Sequence, residues 1–319
     1  MFPADFAYAR ARSLDEAFDL LDEAAAAGQE AKLIAGGQSL LHMMKLRLAA
    51  PQVLIDIAGL DELKGKDELT DAGGTAAGAG LSARIGALTT YRQLGRGPFG
   101  AGPPAADGGR RPGTGPAPAF ADALAVLADP QVRARGTIGG AVAHGDPASD
   151  LPAVLLALNA EVTIASRAGR RVTALDDFLH GIYATDLAED EIVTDIAVQS
   201  TDARASAYAK FPHPASHLPL AGVCAVLRLR DGLIDGAEVA VTGISPRPYR
   251  ARVTEQLLAG APAAPDTFAA AAAQVTRLPD GNDVSLLGDQ HASAPYRAHL
   301  AEVLTRRALA RAFTRAGAA

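Results

Sequence analysis

The sequence predicts an α+β protein of three consecutive units: a small parallel β-α-β-α-β unit over residues 1–57, a larger α+β unit over 58–175, and a third over 176–319 in which helices back an antiparallel sheet. Three observations carry this. Strand-like and helix-like apolar patterns alternate in the first unit, as a parallel sheet requires. Short strands and helices surround a second glycine-rich turn in the next. In the last, a run of apolar strands comes before alanine-rich helices.

In the first unit a short strand near 6–9 leads to Ser13 and Glu16 in capping-box spacing, then to Leu14, Ala17, Phe18 and Leu21 on one helical face ending at Gly28. A strand over 31–35 enters two glycines, a short helix follows in LLHMMKLRL, and VLIDI (53–57) is the third strand. The second unit has strands at 81–87 and 161–166 and helices near 119–128 and 151–158. Its segment 95–118 is so rich in Gly and Pro that it reads as a surface insertion, with Arg110 and Arg111 solvated. The third unit has strands at 192–198, 206–211, 221–230 and 237–244 and helices near 252–259, 265–277 and 294–314, with Asp231 and Gly232 as a hairpin turn.

Thirty Lys and Arg against 36 Asp and Glu give a net charge of −6 without a basic block, which argues against a nucleic-acid surface. No stretch approaches the roughly 18–20 apolar residues of a membrane span, and the N-terminus lacks a signal-type apolar segment, so a cytoplasmic chain is expected. The single cysteine, Cys224, lies in an apolar run and reads as a buried strand residue; it excludes an internal disulfide and a four-cysteine cluster held by this chain alone.

Two glycine turns about a hundred residues apart carry the chemistry. In IAGGQSL (34–40) a strand runs into Gly36 and Gly37 and then a helix, so unpaired amides at the helix start can face an anion; a plain strand-to-helix turn is the competing reading. In GTIGGAVAHGDPASD (136–150), Thr137 precedes Gly139 and Gly140 in the same way. Ser39 and Thr137 each add a hydroxyl able to donate to a phosphate oxygen. Asp150 opens the following helix and serves equally as its cap or as an acceptor for ligand hydroxyls.

The ordered blocks AGGQSLLHMMKLRL, LIDI, DPQVRARGTIGGAVAHGDPASDLPAVLLAL, FLHGIYATDLAEDEIV and YAKFPHPASHLPLAGVCAV resemble the FAD-binding medium subunit of the molybdenum hydroxylases, the family of aerobic carbon monoxide dehydrogenase and the xanthine dehydrogenase flavin domain. The resemblance runs from about residue 3 to the C-terminus. It implies a two-part FAD-binding unit of the vanillyl-alcohol-oxidase (PCMH) type followed by the family's C-terminal domain. It also implies an oxidoreductase subunit that passes electrons from a small 2Fe–2S partner through FAD to an acceptor left open among NAD, quinone and oxygen. The substrate site would lie on a large molybdenum-cofactor partner, in a heterotrimer.

Residue by residue, the resemblance places Ala35, Gly36, Gly37, Gln38, Ser39 and Leu40 on the first diphosphate loop and Thr137, Ile138, Gly139, Gly140 and Ala141 on the second. Asp150 matches an acidic FAD contact, Ile192 and Lys210 fall where the third domain reaches the flavin, and Tyr208 is a candidate to lie against the isoalloxazine ring. Gln38 stands where the family often has His, and Ala141 where it often has Asn, which puts side-chain contacts rather than main-chain ones in doubt. A self-contained flavin oxidase or reductase, or a flavin-free scaffold, are the alternatives.

Other patterns fail on context. Gly78, Gly80 and Ala83 have G-x-G-x-x-A spacing without the strand before and helix after that a Rossmann turn needs. His213 and His217 are separated by Pro214, which forbids the helix that would pair them on a metal. Neither a G-x-S-x-G elbow nor a P-loop is present, and His144 reads as a turn residue.

Overall fold

The computed structural model of the 319-residue chain describes residues 2–65, 68–71, 81–96, 117–200 and 205–317. Most of the Gly/Pro-rich segment with Arg110 and Arg111 lies outside the described residues, as do Gly78 and Gly80.

The first unit runs β1 (Ala7–Arg10), α1 (Leu14–Ala26), β2 (Ala31–Ile34), α2 (Leu40–Lys45) and β3 (Val53–Asp56), and its sheet is parallel in the order β1-β3-β2. Ser13 caps α1 by accepting the Glu16 amide at 3.1 Å, while the Glu16 carboxylate reaches back to the Arg12 amide. Leu14, Ala17, Phe18 and Leu21 are buried, so the helical stripe read from the sequence is the face laid on the sheet.

The second unit contains β4 (Glu68–Asp71), β5 (Leu81–Gly86), α3 (Tyr91–Leu94), α4 (Pro118–Val126), α5 (Pro130–Arg135), α6 (Ile138–His144), α7 (Asp150–Ala157), β6 (Glu161–Ser166), β7 (Gly169–Ala174), α8 (Leu175–Phe178), β8 (Leu179–Gly181), β9 (Ala184–Thr185) and β10 (Ile192–Ser200). Its five strands are ordered β4-β5-β10-β6-β7. Strand β10 therefore corrects the expected boundary at 175: it is the central strand of this sheet, paired antiparallel with both β5 and β6. Ile196 and Val198 pack in the same core as Ile85 and Val162, so long-range pairing, not closeness in sequence to the later strands, decides where the strand belongs.

The third unit has β11 (Ser206–Pro212), β12 (Pro219–Arg230), β13 (Leu233–Thr242), β14 (Tyr249–Arg250), α9 (Arg252–Leu258), α10 (Pro265–Ala272) and α11 (Ala294–Ala316). Its sheet is antiparallel in the order β11-β12-β13-β14. Asp231 and Gly232 form the β12–β13 turn with φ of 52° and 78°. Helices cover one face of this sheet. The other face adds Tyr208, Cys224, Val226 and Ala240 to the core of the second unit. Burial on both sides explains why β12 is apolar without alternation.

Two helices around the second glycine turn were not anticipated. Asp129 caps α5 by accepting the Gln131 and Val132 amides at 2.7 and 2.8 Å. Thr137 caps α6, and left-handed Gly145 (φ 62°) ends it. The glycine pair weakens the helical signal locally, yet the caps at both ends outweigh it.

Candidate functional site

Strand β2 runs at its C-terminal end into Gly36, which meets the backbone of the second unit. Ile55, Ile57, Leu63, Leu88, Ala165 and Ile192 share the buried seam between the two units. At one end of this seam the two glycine turns meet. A Cβ on Gly36 would stand 2.2 Å from the Arg135 carbonyl oxygen and 3.0 Å from Gly136 Cα, so only glycine permits this approach.

The two turns contribute differently. None of the five amides from Gly36 to Leu40 finds an acceptor among the described residues, because no helical turn precedes them to supply carbonyls; the first i−4 bond of the turn runs from the Leu41 amide to the Gly37 carbonyl. Gly37 is left-handed (φ 73°), Ser39 is exposed and its hydroxyl caps nothing, and Gln38 gives its carbonyl to the His42 ring. Ala35 is half-buried beneath the turn. A row of unpaired amides at a helix start is an anion cradle.

On the other side, the Ile138, Gly139 and Ala141 amides donate to the carbonyls of Thr89, Ala87 and Thr137, and the Gly140 amide donates to Thr137 Oγ1 at 3.1 Å. The expectation of two equal amide cradles is corrected: this turn spends its amides on seating α6. It keeps the Thr137 amide and the hydroxyl hydrogen, since a hydroxyl that accepts can still donate. Gly139 is buried against Ala87, where a Cβ would come within 2.4 Å, whereas exposed Gly140 would meet only Thr137 Oγ1, at 2.8 Å.

Asp150 is 4 % exposed and caps nothing; the N-cap of α7 is Ser149. Its Oδ1 accepts from Tyr208 Oη at 2.7 Å, and Lys210 Nζ lies 2.8 and 3.0 Å from its two oxygens. Burial pushes the Asp150 carboxyl above its ordinary range, against the opposing pull of Lys210 and then Tyr208. The same carboxylate and Asp146, after burial, raise the hydroxyl of Tyr91, whose ring fills the space a Cβ on Gly136 would need. Asp150 thereby lies within electrostatic reach of the ring that packs on Gly136.

Two expected contacts do not have the expected form. Tyr208 is 2 % exposed in the core with its hydroxyl on Asp150, so its ring presents no face to a ligand. Ile192 is 1 % exposed, and its side chain packs in the seam with α1. An aromatic surface lies elsewhere: His144 at the end of α6 and Tyr183 on the β8–β9 hairpin stand with ring centroids 4.8 Å apart, and Tyr183 is about half exposed. Tyr183 is left-handed (φ 53°) and donates its amide to the Gly145 carbonyl, a tertiary arrangement that nothing in its local sequence signals. A separate cleft of about 350 Å³ opens along the seam between Leu14, Gly65, Arg84 and Thr194, and no residue of the two glycine turns lines it.

A row of unpaired amides closed by a second glycine turn, at the seam of a parallel β-α-β-α-β unit and an α+β unit, is the arrangement of a two-part dinucleotide-binding protein, the class to which the comparisons assign the chain. The chain belongs to the flavoprotein family of the molybdenum hydroxylases: residues 4–198 match the FAD binding domain in molybdopterin dehydrogenase, and 206–312 match the CO dehydrogenase flavoprotein C-terminal domain. It is 34 % identical to the nicotine 6-hydroxylase medium subunit of Paenarthrobacter nicotinovorans, over 97 % of each chain. It is 33 % identical to the glyceraldehyde dehydrogenase medium chain of Sulfolobus acidocaldarius, over 97 % of this chain and 98 % of that one. A solved structure of carbon monoxide dehydrogenase from Hydrogenophaga pseudoflava superposes with a TM-score of 0.84 at 33 % identity, covering 99 % of both chains. The chain is thus an FAD-binding oxidoreductase subunit. Among the described residues no helix is long and apolar enough to cross a membrane.

Proposed function

We propose that this chain is the electron-transferring flavoprotein of a multi-subunit molybdenum hydroxylase, taking electrons from a small 2Fe–2S subunit and passing them through FAD to an external acceptor. A large molybdenum-cofactor subunit would oxidise the substrate. The observation that carries the reading is the row of unpaired amides from Gly36 to Leu40 pressed against the Arg135–Gly136 backbone, which suits the anionic diphosphate of a flavin dinucleotide. FAD supplies the ability to accept electrons one at a time and release them in pairs. This chain's residues bind and orient it.

In this proposal the amides of residues 36–40 and the Thr137 hydroxyl hold the diphosphate, and Gly140 leaves room for it. Asp150 accepts from cofactor hydroxyls. Lys210 and Tyr208 act on Asp150, not on the ring, and Ile192 shapes the seam. His144 and Tyr183 would offer the flavin ring an aromatic surface: α6 has seven residues, so at about 1.5 Å per residue its end stands roughly 10 Å from the glycine turn at its start, on the scale of a ribityl chain.

The experiment is reconstitution. The purified chain incubated with FAD should acquire a bound-flavin spectrum and accept electrons from a one-electron donor, yet oxidise no organic substrate alone. Rapid flavin reduction by a small substrate without partners would instead establish a self-contained oxidase or reductase. A chain that never takes up FAD would leave only a scaffold.

A further inference from the structure

Asp150 belongs to the second unit, yet the side chains that hold it come from the third. Tyr208 and Lys210 are two residues apart on β11 and so project from the same face of that strand. Both reach Asp150 Oδ1, at 2.7 and 2.8 Å, and all three side chains are almost completely buried. Tyr208 can do this only because its neighbour strand yields space: a Cβ on Gly222 would stand 2.3 Å from the Tyr208 hydroxyl oxygen. The Tyr208 main chain is tied as well, its amide to Asp122 Oδ2 at 3.0 Å and its carbonyl to Arg311 Nη1 at 3.2 Å.

We propose that Tyr208 is a positioning residue of the FAD site, which, with Gly222 making room for its hydroxyl, fixes the orientation of the Asp150 carboxylate so that the third unit completes a site built by the first two. The proposal rests on the reading of Asp150 as an acceptor for cofactor hydroxyls. A rigid acceptor needs its unused lone pairs aimed before the ligand arrives. Tyr208 and Lys210 both load Oδ1, which leaves Oδ2 with a single donor, Lys210, and capacity for another.

The test uses the full chain and FAD itself. Tyr208→Phe keeps the ring and removes one hydrogen bond. It should bind FAD about tenfold more weakly at neutral pH, the scale of a hydrogen bond to a charged group. Because the lost bond favoured the ionised carboxylate, its removal raises the Asp150 pKa further, so the pH below which FAD affinity falls should move upward. Gly222→Ala, which displaces the same hydroxyl, should act in the same direction. In an Asp150→Asn background the Tyr208→Phe change should add nothing. Unchanged affinity and pH profile in Tyr208→Phe, or an equal loss with and without Asp150, would overturn the proposal. If Asp150→Asn does not fold, the pH profile of Tyr208→Phe decides alone. Should Asp150→Asn bind FAD normally while Gly140→Val does not, this inference fails and the clamp stands; if Gly140→Val also binds normally, the clamp reading fails too.

Discussion

Gly36 and Gly140 are small for opposite reasons. Gly36 is small because a protein carbonyl occupies the place of its Cβ, whereas exposed Gly140 faces open space beside Thr137 Oγ1. Gly36→Ala should therefore separate the first two units, lowering the unfolding midpoint and FAD affinity together. Gly140→Val should abolish FAD uptake with a smaller fall in the apoprotein midpoint than Gly36→Ala, since its Cβ displaces only the Thr137 hydroxyl and not backbone. Flavin titration beside thermal melts checks both, and a Gly140→Val protein that binds FAD like wild type would remove the turn from the site. Gly37 is a poorer probe, since its left-handed φ of 73° strains any substitution whatever the ligand does. The sequence showed that these positions hold glycine next to hydroxyl residues. Which glycine touches protein and which faces outward depends on a contact between turns about a hundred residues apart, so it was not legible there. The same holds for Asp150: the choice between cap and ligand contact could not be decided from its position at a helix start, and its immediate partners lie on a strand some sixty residues later.

Helices seat the clamp as much as loops do. Arg135, whose carbonyl backs Gly36, is the last residue of α5, and α5 is only six residues long. So short a helix has little stability of its own, and its cap weighs heavily. Asp129→Ala leaves the Gln131 and Val132 amides without their acceptor and should cost about 1 kcal/mol of stability. The Arg135 carbonyl should then wander and FAD affinity should fall, although Asp129 is not among the residues proposed to hold the cofactor. Equal FAD affinity at saturating protein stability would show that α5 holds its place without the cap. Periodicity made α1, α7 and α11 legible because each is long enough to show a buried stripe or an apolar run. Helices α5 and α6 are too short for that, and the glycine pair inside α6 points the wrong way. Their signals were the caps, Asp129 followed by Pro130 and Thr137 followed three residues later by Gly140, which the structure confirms as hydrogen bonds.

The three units are joined by shared cores. Tyr208, Cys224, Val226 and Ala240 of the third unit pack with Phe120, Leu151 and Phe178 of the second, and Arg315 near the C-terminus grips Asp122 through two 2.8 Å contacts. A core contributed by two units cannot be exposed on one side only, so these two should unfold together. Cys224 reports on this directly. It is fully buried in that shared core, and burial pushes its thiol far above the ordinary range, so it should be inert to thiol reagents in the native protein. In rising denaturant, reaction of Cys224 and release of flavin fluorescence should follow one common transition. Free FAD at a hundredfold excess over its Kd should displace that transition by about 2.7 kcal/mol, because the cofactor binds only the folded chain. Cys224 reacting well before the flavin is released, at a midpoint insensitive to added FAD, would mean that the third unit opens independently and that its hold on Asp150 is not needed to keep the cofactor.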